Sequence, residues 1–208
     1  MQTQQNKKID YRNSAIIGFI IGVFIIPIEL NLKGQHLSWF IAGIIAFPLL
    51  AVAGMFIAKK LFEKFSAVFE FVKFGLTGTS NTTINLGIIN TFVLATGIAR
   101  GPLVILFSVI AFLCTLTNSY YWNSHWSFKS KHQRSVKEFI SFAIIMLVGI
   151  ALNSGIIYLV TSINPPAGIS AKLWINIATL IATFVVLFWN FFGYRKIVFK
   201  TSDSSIVK

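Results

Sequence analysis

Six long apolar stretches divide this 208-residue chain and restrict its fold more than any other feature. They run roughly over Ser14–Leu30, Leu37–Ala58, Phe74–Ile98, Pro102–Tyr121, Phe139–Thr161 and Leu173–Phe192. About 20 apolar residues are enough for a helix to cross the hydrocarbon core of a bilayer. Because 55% of the residues are hydrophobic and only 12% are charged, a soluble domain of this size could not bury the apolar surface. The sequence therefore predicts an all-α integral membrane protein with six transmembrane helices.

The first stretch is the shortest and carries Pro27 and Glu29 near its end. A cleaved signal peptide is the alternative interpretation. However, no small-x-small cleavage motif is present, and a second apolar run follows after six residues. We therefore expect a retained helix. Gly18 and Gly22 give this helix a small-xxx-small face that favours close pairing with another helix.

The basic residues predict the orientation of the helices. Fifteen of the eighteen lie before the first helix, between the second and third, between the fourth and fifth, or after the sixth. The other three are Lys33, Arg100 and Lys172. Because basic loops stay in the cytoplasm, both termini are expected to be cytoplasmic. The net charge of +12 is thus mainly a topology signal, and no nucleic-acid-binding motif accompanies it.

Three segments are predicted. Residues 1–58 form an N-terminal two-helix extension, and residues 74–208 form a four-helix domain. Between them, residues 59–73 place apolar side chains at a spacing of 3–4 residues with charges between them. This pattern is typical of an amphipathic helix that lies at the lipid headgroups. A cytoplasmic extension of the third helix is the alternative.

The four-helix domain contains an internal repeat. EFVKFGLTGTSNTTINLGII (Glu70–Ile89) and EFISFAIIMLVGIALNSGII (Glu138–Ile157) share seven identities in twenty positions, including an acid, an asparagine and a glycine. The exits WNSHWSFK (Trp122–Lys129) and GYRKIVFK (Gly193–Lys200) both end in Phe-Lys. Two tandem helical hairpins, about residues 70–131 and 138–201, are predicted. Each has two crossings, so the copies are parallel, and a site is expected between such copies.

Polar side chains inside these apolar helices are candidates for a substrate groove, because polar groups are expensive in the membrane interior. Asparagine is the shared feature, with two aromatic residues beside it. The predicted groove residues are Asn81, Asn85, Asn118, Asn123, Asn153, Asn190, Tyr121 and Trp122. Hydrogen bonding that merely holds the helices together is the alternative, at about 0.6 kcal/mol per contact.

Cations and aromatic residues gather where the helices leave the bilayer on the cytoplasmic side. Arg and Lys bind phosphate well, Arg with a two-pronged geometry. The predicted phosphate-binding residues are Arg195, Lys196, Lys73, His125 and Lys129. An ordinary interfacial belt is the alternative for most of them. Glu70 and Glu138 are expected to orient these cations at the helix starts.

Carboxylates are predicted to be absent from the middle of the membrane. Asp10 and Asp203 are placed in the tails, and the four glutamates at the membrane edges. A proton-coupled exporter generally needs an intramembrane carboxylate or histidine, so this class is disfavoured. We also expect no catalytic residues, no metal site and no cofactor, since neither a paired-carboxylate nor a Cys/His pattern is present. An enzyme is therefore not expected.

Three segments of the chain resemble the GtrA family of small membrane proteins. They are EFVKFGLTGTSNTTINLGI (Glu70–Ile88), NSYYWNSHWSFKSK (Asn118–Lys131) and WNFFGYRKIVFK (Trp189–Lys200). The resemblance covers about residues 69–201 and implies four transmembrane helices in two repeats. In one departure, Ser124 follows Asn123 where the family commonly has a basic residue. His125 or Lys129 is expected to substitute for it.

The resemblance implies that the protein flips a polyprenyl-phosphate-linked monosaccharide, often undecaprenyl-phosphate glucose, across the cytoplasmic membrane. The sugar would then serve in polysaccharide or teichoic-acid glycosylation at the cell surface. A membrane glycosyltransferase and membrane lipids are the implied partners, and a homo-oligomer is possible. One alternative is a non-transporting scaffold or activator of the glycosyltransferase. A small-multidrug-type exporter is the other, although it predicts a mid-membrane glutamate.

Overall fold

Six long α-helices make up most of the computed structural model, which describes residues 2–33, 37–129 and 135–199. They are α1 (Gln2–Lys33), α2 (Leu37–Phe62), α3 (Ser66–Thr96), α4 (Pro102–Trp122), α5 (Val136–Thr161) and α6 (Ala171–Gly193). Across those described ranges the chain contains no β-strand. The all-α class predicted from the sequence is confirmed. Basic residues of the predicted cytoplasmic side that lie outside the described ranges are Lys131, Arg134, Lys200 and Lys208.

Five of these helices are long and apolar enough to cross a membrane. The spans are Lys8–Asn31, Phe40–Phe62, Pro102–Ser127, Val136–Thr161 and Trp174–Val198. The protein is therefore a multi-pass membrane protein. Helix α3 is long enough to cross, with 31 residues, but its run of threonines and asparagines makes it less apolar than the other five. A sixth crossing stays a prediction.

Helix α1 begins at Gln2, whereas the sequence predicts a start near Ser14. The residues before Ser14 are polar, so hydropathy alone does not extend the helix to them. Their helical spacing nevertheless continues one face of α1. Asp10, Ser14, Ile17 and Ile21 recur at spacings of three and four residues, and all four are buried. Asp10 is thus a buried residue of α1, and the prediction that placed it in a tail is wrong.

The predicted amphipathic linker helix over residues 59–73 is divided between two longer helices. Its first residues form the last turn of α2, which ends at Phe62. A short turn follows, in which the Phe65 amide donates to the Phe62 carbonyl at 2.9 Å. Helix α3 then begins at Ser66 and carries the rest of the segment. Lys73 therefore lies inside α3, as in the alternative that extends the third helix toward the cytoplasm.

Helix α1 packs closely against α2 and α3 at glycine positions. A Cβ at Gly18 would lie 2.5 Å from the Phe47 carbonyl oxygen of α2. At Gly22 it would lie 2.9 Å from the Gly43 carbonyl oxygen. On α3, a Cβ at Gly87 would lie 2.5 Å from the Phe24 carbonyl oxygen of α1. Small residues let helix backbones approach in this way, and the expected pairing through Gly18 and Gly22 is confirmed.

Two helices end in a π-helical segment of five residues. Helix α4 continues into Asn123–Ser127 and α6 into Tyr194–Val198. Each segment directly precedes the phenylalanine of a Phe-Lys pair, at the two exits that the sequence repeat aligns. Short π segments are rare and are frequent at functional sites. The same irregularity thus occurs at equivalent positions of the two predicted repeats.

The chain forms two compact units, Met1–Ser127 and Phe128–Lys208. The first contains α1 to α4 and the first π-helical segment. Its core includes Ile17, Ile21, Met55, Trp122 and Trp126. This division places the N-terminal helix pair in one unit with α3 and α4, whereas the sequence analysis divides the chain after residues 58 and 73. The tandem-repeat boundaries stay predictions.

The second unit contains α5, α6 and the second π-helical segment. Its interior is aromatic: the Phe142 and Tyr194 rings stack at 4.1 Å, and the Phe128 and Phe199 rings at 5.4 Å. All four side chains are buried. The two phenylalanines that end the repeat exits are thus core residues of this unit.

Candidate functional site

Asp10 of α1 is the centre of a buried ionic cluster in the first unit. Its Oδ2 accepts from the Lys59 ammonium of α2 at 2.9 Å. Its Oδ1 accepts from the Lys73 ammonium of α3 at 2.9 Å. The side chains of Asp10, Lys59 and Lys73 are each 5% exposed or less. One carboxylate therefore joins three helices, and we call this set the Asp10 cluster.

Aromatic residues surround the Asp10 cluster. The Trp126 indole N–H, from the first π-helical segment, donates to Asp10 Oδ1 at 2.9 Å. The Lys73 ammonium lies 4.4 Å from the centre of the Phe69 ring, and the Lys59 ammonium lies 5.1 Å from that of Tyr11. Aromatic faces attract cations electrostatically, more so away from water. The cluster thus holds its two ammonium groups by a carboxylate and by ring faces.

Lys73, a predicted phosphate-binding residue, is buried in this structure. It is 3% exposed and its ammonium contacts Asp10. The candidate site residues from the sequence did not include Asp10, Lys59 or Trp126. Asp10 lies four residues before Ser14, on the helical face that continues to Ile17. This spacing is the signal by which the sequence could have identified Asp10 as buried. Partnership with Lys59 could not be inferred, because it depends on how α1 packs against α2.

A second polar cluster joins α3 and α4 through side-chain amides. Asn118 Nδ2 donates to Asn81 Oδ1 at 2.7 Å and lies 3.4 Å from Ser80 Oγ. Asn118 Oδ1 accepts from the Trp122 indole N–H at 3.1 Å. We call Ser80, Asn81, Asn118 and Trp122 the amide network. The structure thus brings together three residues of the predicted groove, two of them asparagines.

Trp122 and Tyr121 have opposite environments. The Trp122 side chain is 7% exposed and belongs to the core of the first unit. Trp122, a predicted groove residue, therefore offers no open ring face for a sugar in this structure. Tyr121 is 51% exposed, and its ring stacks on His125 at 4.3 Å. Tyr121 and His125 form the accessible aromatic surface at this end of α4.

Three oxygens in the first unit are buried and lack a hydrogen-bond partner among the described residues. They are Thr77 Oγ1 on α3 and, in the first π-helical segment, Asn123 Oδ1 and Ser127 Oγ. Asn123 is fully buried, and its Nδ2 donates to Ser119 Oγ at 3.2 Å. Buried polar atoms in proteins nearly always have a partner, so an exception requires an explanation such as water or a ligand. The first unit therefore has hydrogen-bonding capacity left over in its interior.

The second unit has one comparable atom. Asn190 Oδ1 on α6 is buried and lacks a partner within the described ranges. It lies against Gly149 of α5, where a Cβ would be 2.9 Å from that oxygen. The sequence repeat aligns Gly149 with Asn81. In the first unit Asn81 accepts a hydrogen bond from Asn118 at this position. In the second unit Gly149 has no side chain there, which leaves room for Asn190.

Two further predicted groove residues, Asn85 and Asn153, are half-buried on α3 and α5. Neither takes part in the amide network. Most hydroxyls of α3 bond to their own helix: Thr79, Thr82 and Thr83 each donate to a carbonyl four residues earlier. These hydroxyls therefore do not hold α3 to its neighbours. Such bonding is the usual way for a threonine to satisfy its hydroxyl within a helix.

The other predicted phosphate-binding residues lie near the two helix exits. Arg195 is half-buried in the second π-helical segment, and Lys196 beside it is exposed, 5.7 Å from the Phe192 ring centre. In the first unit, His125 is exposed, with Nδ1 2.8 Å from the Tyr121 carbonyl oxygen. Lys129 is exposed and has a positive φ of 48°. The structure thus groups Arg195 with Lys196, and His125 with Tyr121.

The two predicted orienting carboxylates differ in their surroundings. Glu70 is half-buried on α3. Glu138 is buried in the first turn of α5, where its amide donates to Ser135 Oγ, the N-cap of the helix, at 3.1 Å. An acid at this position stabilises a helix start. The described residues contain no group of three His, Cys, Asp or Glu side chains that could hold a metal ion.

The features above define a helical, multi-pass membrane protein whose first unit has a polar interior of amides, hydroxyls and a buried ionic cluster. The family model described as GtrA/DPMS, transmembrane domain, matches residues 73–199, more than half of the chain. The chain belongs to this family. No curated protein and no solved structure matches it. The matched region begins at Lys73, so Asp10 and Lys59 lie outside it.

Proposed function

We propose that this protein moves a polyprenyl-phosphate-linked monosaccharide across the cytoplasmic membrane, for glycosylation of a cell-surface polysaccharide or teichoic acid. Membership of the GtrA/DPMS family supports this proposal. The proposal also has a physical basis, because sugar hydroxyls and a phosphate charge do not cross about 30 Å of hydrocarbon unaided. The protein has to supply polar contacts for the head while the prenyl tail stays in lipid.

The observation that carries the proposal is the polar interior of the first unit. Asn81 and Asn118 bond to each other between α3 and α4. Thr77 Oγ1 and Asn123 Oδ1 are buried, with no partner in the described part of the chain. Hydroxyl and carboxamide oxygens accept hydrogen bonds from hydroxyl groups. Asn81 and Asn118 would therefore exchange their mutual hydrogen bond for contacts with the sugar, and the two unpartnered oxygens would accept hydrogen bonds from it.

For the phosphate, Arg195 and Lys196 are the proposed ligands, with His125 and Lys129 as the cations of the first exit. Arg binds two phosphate oxygens at once, and Lys binds as a point charge. Lys196 is exposed and so can meet a headgroup without breaking a buried ion pair. Lys73 would have to leave Asp10 first.

The proposal includes a topology and a partner. Helix α3 would be the sixth crossing, with both termini in the cytoplasm, since basic loops stay on that side. A membrane glycosyltransferase would load the sugar onto the prenyl phosphate in the inner leaflet, and another would use it outside. The protein itself would perform no bond-making step.

Reconstituted liposomes test the proposal directly. The purified protein should accelerate transfer of a labelled prenyl-phosphate sugar between leaflets, relative to empty vesicles. Replacing Asn81 and Asn118 together by Ala should slow this transfer at least tenfold, because the sugar loses its amide contacts. Thr117→Val is the matched control on α4, since the exposed Thr117 hydroxyl bonds only to its own helix at the Leu113 carbonyl.

The control variant should transfer the lipid at the wild-type rate. If the wild-type protein does not accelerate transfer, the flippase proposal is wrong. The alternative role, a scaffold or activator of the glycosyltransferase, would then be favoured. That role predicts an increase in glycosyltransferase activity when the two proteins are reconstituted together.

A further inference from the structure

The Asp10 cluster has the donor set of an anion-binding site. Three donors surround two oxygens of one carboxylate: the Lys59 and Lys73 ammonium groups and the Trp126 indole N–H, each at 2.9 Å. All three come from different elements, α2, α3 and the first π-helical segment. A phosphate monoester takes the same kind of charge-assisted donors and offers more oxygens and more charge than a carboxylate. Asp10 thus occupies a place that a phosphate group would fit.

An open apolar groove lies beside this cluster on α1 and α2. Its volume is about 560 Å³, and its lining residues are Tyr11, Leu49, Val52, Ala53, Phe56 and Ile57. Tyr11 belongs to both features, because its ring also faces the Lys59 ammonium at 5.1 Å. An apolar groove that shares Tyr11 with a cationic cluster matches a molecule with an apolar chain and an anionic head.

We propose that the Asp10 cluster and this groove bind a lipid phosphate, whose headgroup displaces the Asp10 carboxylate from Lys59 and Lys73 and whose chain lies along the groove. Asp10 then acts as a built-in competitor that holds the two lysines when no lipid is bound. The site uses α1 and α2, which lie outside residues 73–199 matched by the family. The inference rests on the proposed function only for the identity of the lipid, a polyprenyl phosphate.

Removal of the competitor is the sharpest test. Full-length protein in phosphatidylcholine nanodiscs would be titrated with farnesyl phosphate by calorimetry. Asp10→Asn keeps the shape of the side chain and an oxygen for Trp126, but it removes the negative charge. We expect farnesyl phosphate to bind this variant at least tenfold more tightly than the wild type. Glu63→Gln, an exposed acid in the turn after α2, is the matched control and should bind like the wild type.

Two further variants separate the headgroup site from the groove. Lys59→Met added to Asp10→Asn should abolish the gain in affinity. Ala53→Trp, at an exposed position of the groove, should weaken farnesyl phosphate binding at least fivefold in the wild-type background, and this remains a test if Asp10→Asn does not fold. Inorganic phosphate should still bind the double variant Asp10→Asn with Ala53→Trp, because phosphate alone has no chain that needs the groove.

Equal affinity of the wild type and Asp10→Asn would overturn the proposal, as would a gain that survives Lys59→Met. If phosphatidylglycerol displaces farnesyl phosphate at equal concentration, the site takes ordinary membrane lipid and the polyprenyl assignment is wrong. Binding is measured here without transport. Loss of flipping with intact binding would therefore contradict only the proposed function, and flipping without binding only this inference.

Discussion

At the scale of single residues, Asp10 is the side chain that joins three helices of the first unit. It is the common partner of two buried ammonium groups from two other helices. Lysine is a strongly hydrated cation, and leaving it buried without its partner is costly. Replacing only one member of such a cluster therefore harms the fold more than the cluster as a whole stabilises it.

Asp10→Ala should lower the free energy of unfolding by about 3–5 kcal/mol, because two ammonium groups lose their carboxylate in a buried place. Thermal or denaturant unfolding in detergent would measure this. The matched control is Glu63→Ala, which should change stability by no more than about 0.5 kcal/mol at its exposed position. An equal, small effect of both substitutions would contradict the role assigned to Asp10.

Single-residue roles were only partly predictable from the sequence. Asn81 and Asn118 were expected to share a polar site, and they do bond to each other. Lys73 was predicted to bind phosphate and Trp122 to line the groove, and both are buried. Interfacial aromatic and basic residues look alike in sequence whether they face lipid, solvent or the core, because the distinction depends on how neighbouring helices rotate.

At the scale of helices, close contact at glycines determines how α1 meets its neighbours. A Cβ at Gly18 or Gly87 would lie 2.5 Å from a backbone oxygen of the facing helix. Backbone atoms cannot move aside as a flexible side chain can, so the helices themselves would have to separate. Helix existence was predictable from apolar length, whereas the start of α1 and the end of α2 were not, since polar residues continue both helices.

Gly18→Ala and Gly87→Ala should each destabilise the protein by about 1–3 kcal/mol, the usual penalty for overpacking. Gly54→Ala is the control on α2, because a Cβ there meets nothing within 4 Å. Alanine favours helix over glycine by up to about 1 kcal/mol, so this variant should be neutral or more stable. Unfolding curves of the three variants would decide; equal effects would show that the glycines do not set the helix spacing.

At the scale of the whole molecule, the chain crosses the membrane five or six times, depending on whether α3 spans it. This helix is long enough to span, but it does not meet the hydropathy expected of a span. Family membership was predictable because the matching motifs are local runs of sequence. The division into units Met1–Ser127 and Phe128–Lys208 was not, because it follows from contacts between α1 and α3 that are distant in sequence.

A crossing α3 places its two ends on opposite sides of the membrane. With Cys114 replaced by Ser, single cysteines at Glu63 and Ala99 would report the sides of the turns before and after α3. A membrane-impermeant thiol reagent added to intact cells should label the cysteine at position 99, and label that at position 63 only after permeabilisation. Labelling of both positions from the same side would mean that α3 does not cross.

The two π-helical segments have a consequence for movement. In the second, the Phe199 amide donates to the Tyr194 carbonyl at 2.8 Å, five residues back. An α-helix would use the carbonyl four residues back, so the segment contains one residue of slack. If each amide exchanged its acceptor for the neighbouring carbonyl, the extra residue would move along the helix. The backbone that follows would then advance by about 1.5 Å and turn by about 100°. Both exits thus contain a segment in which a one-residue shift of the hydrogen bonds would rotate the backbone that follows.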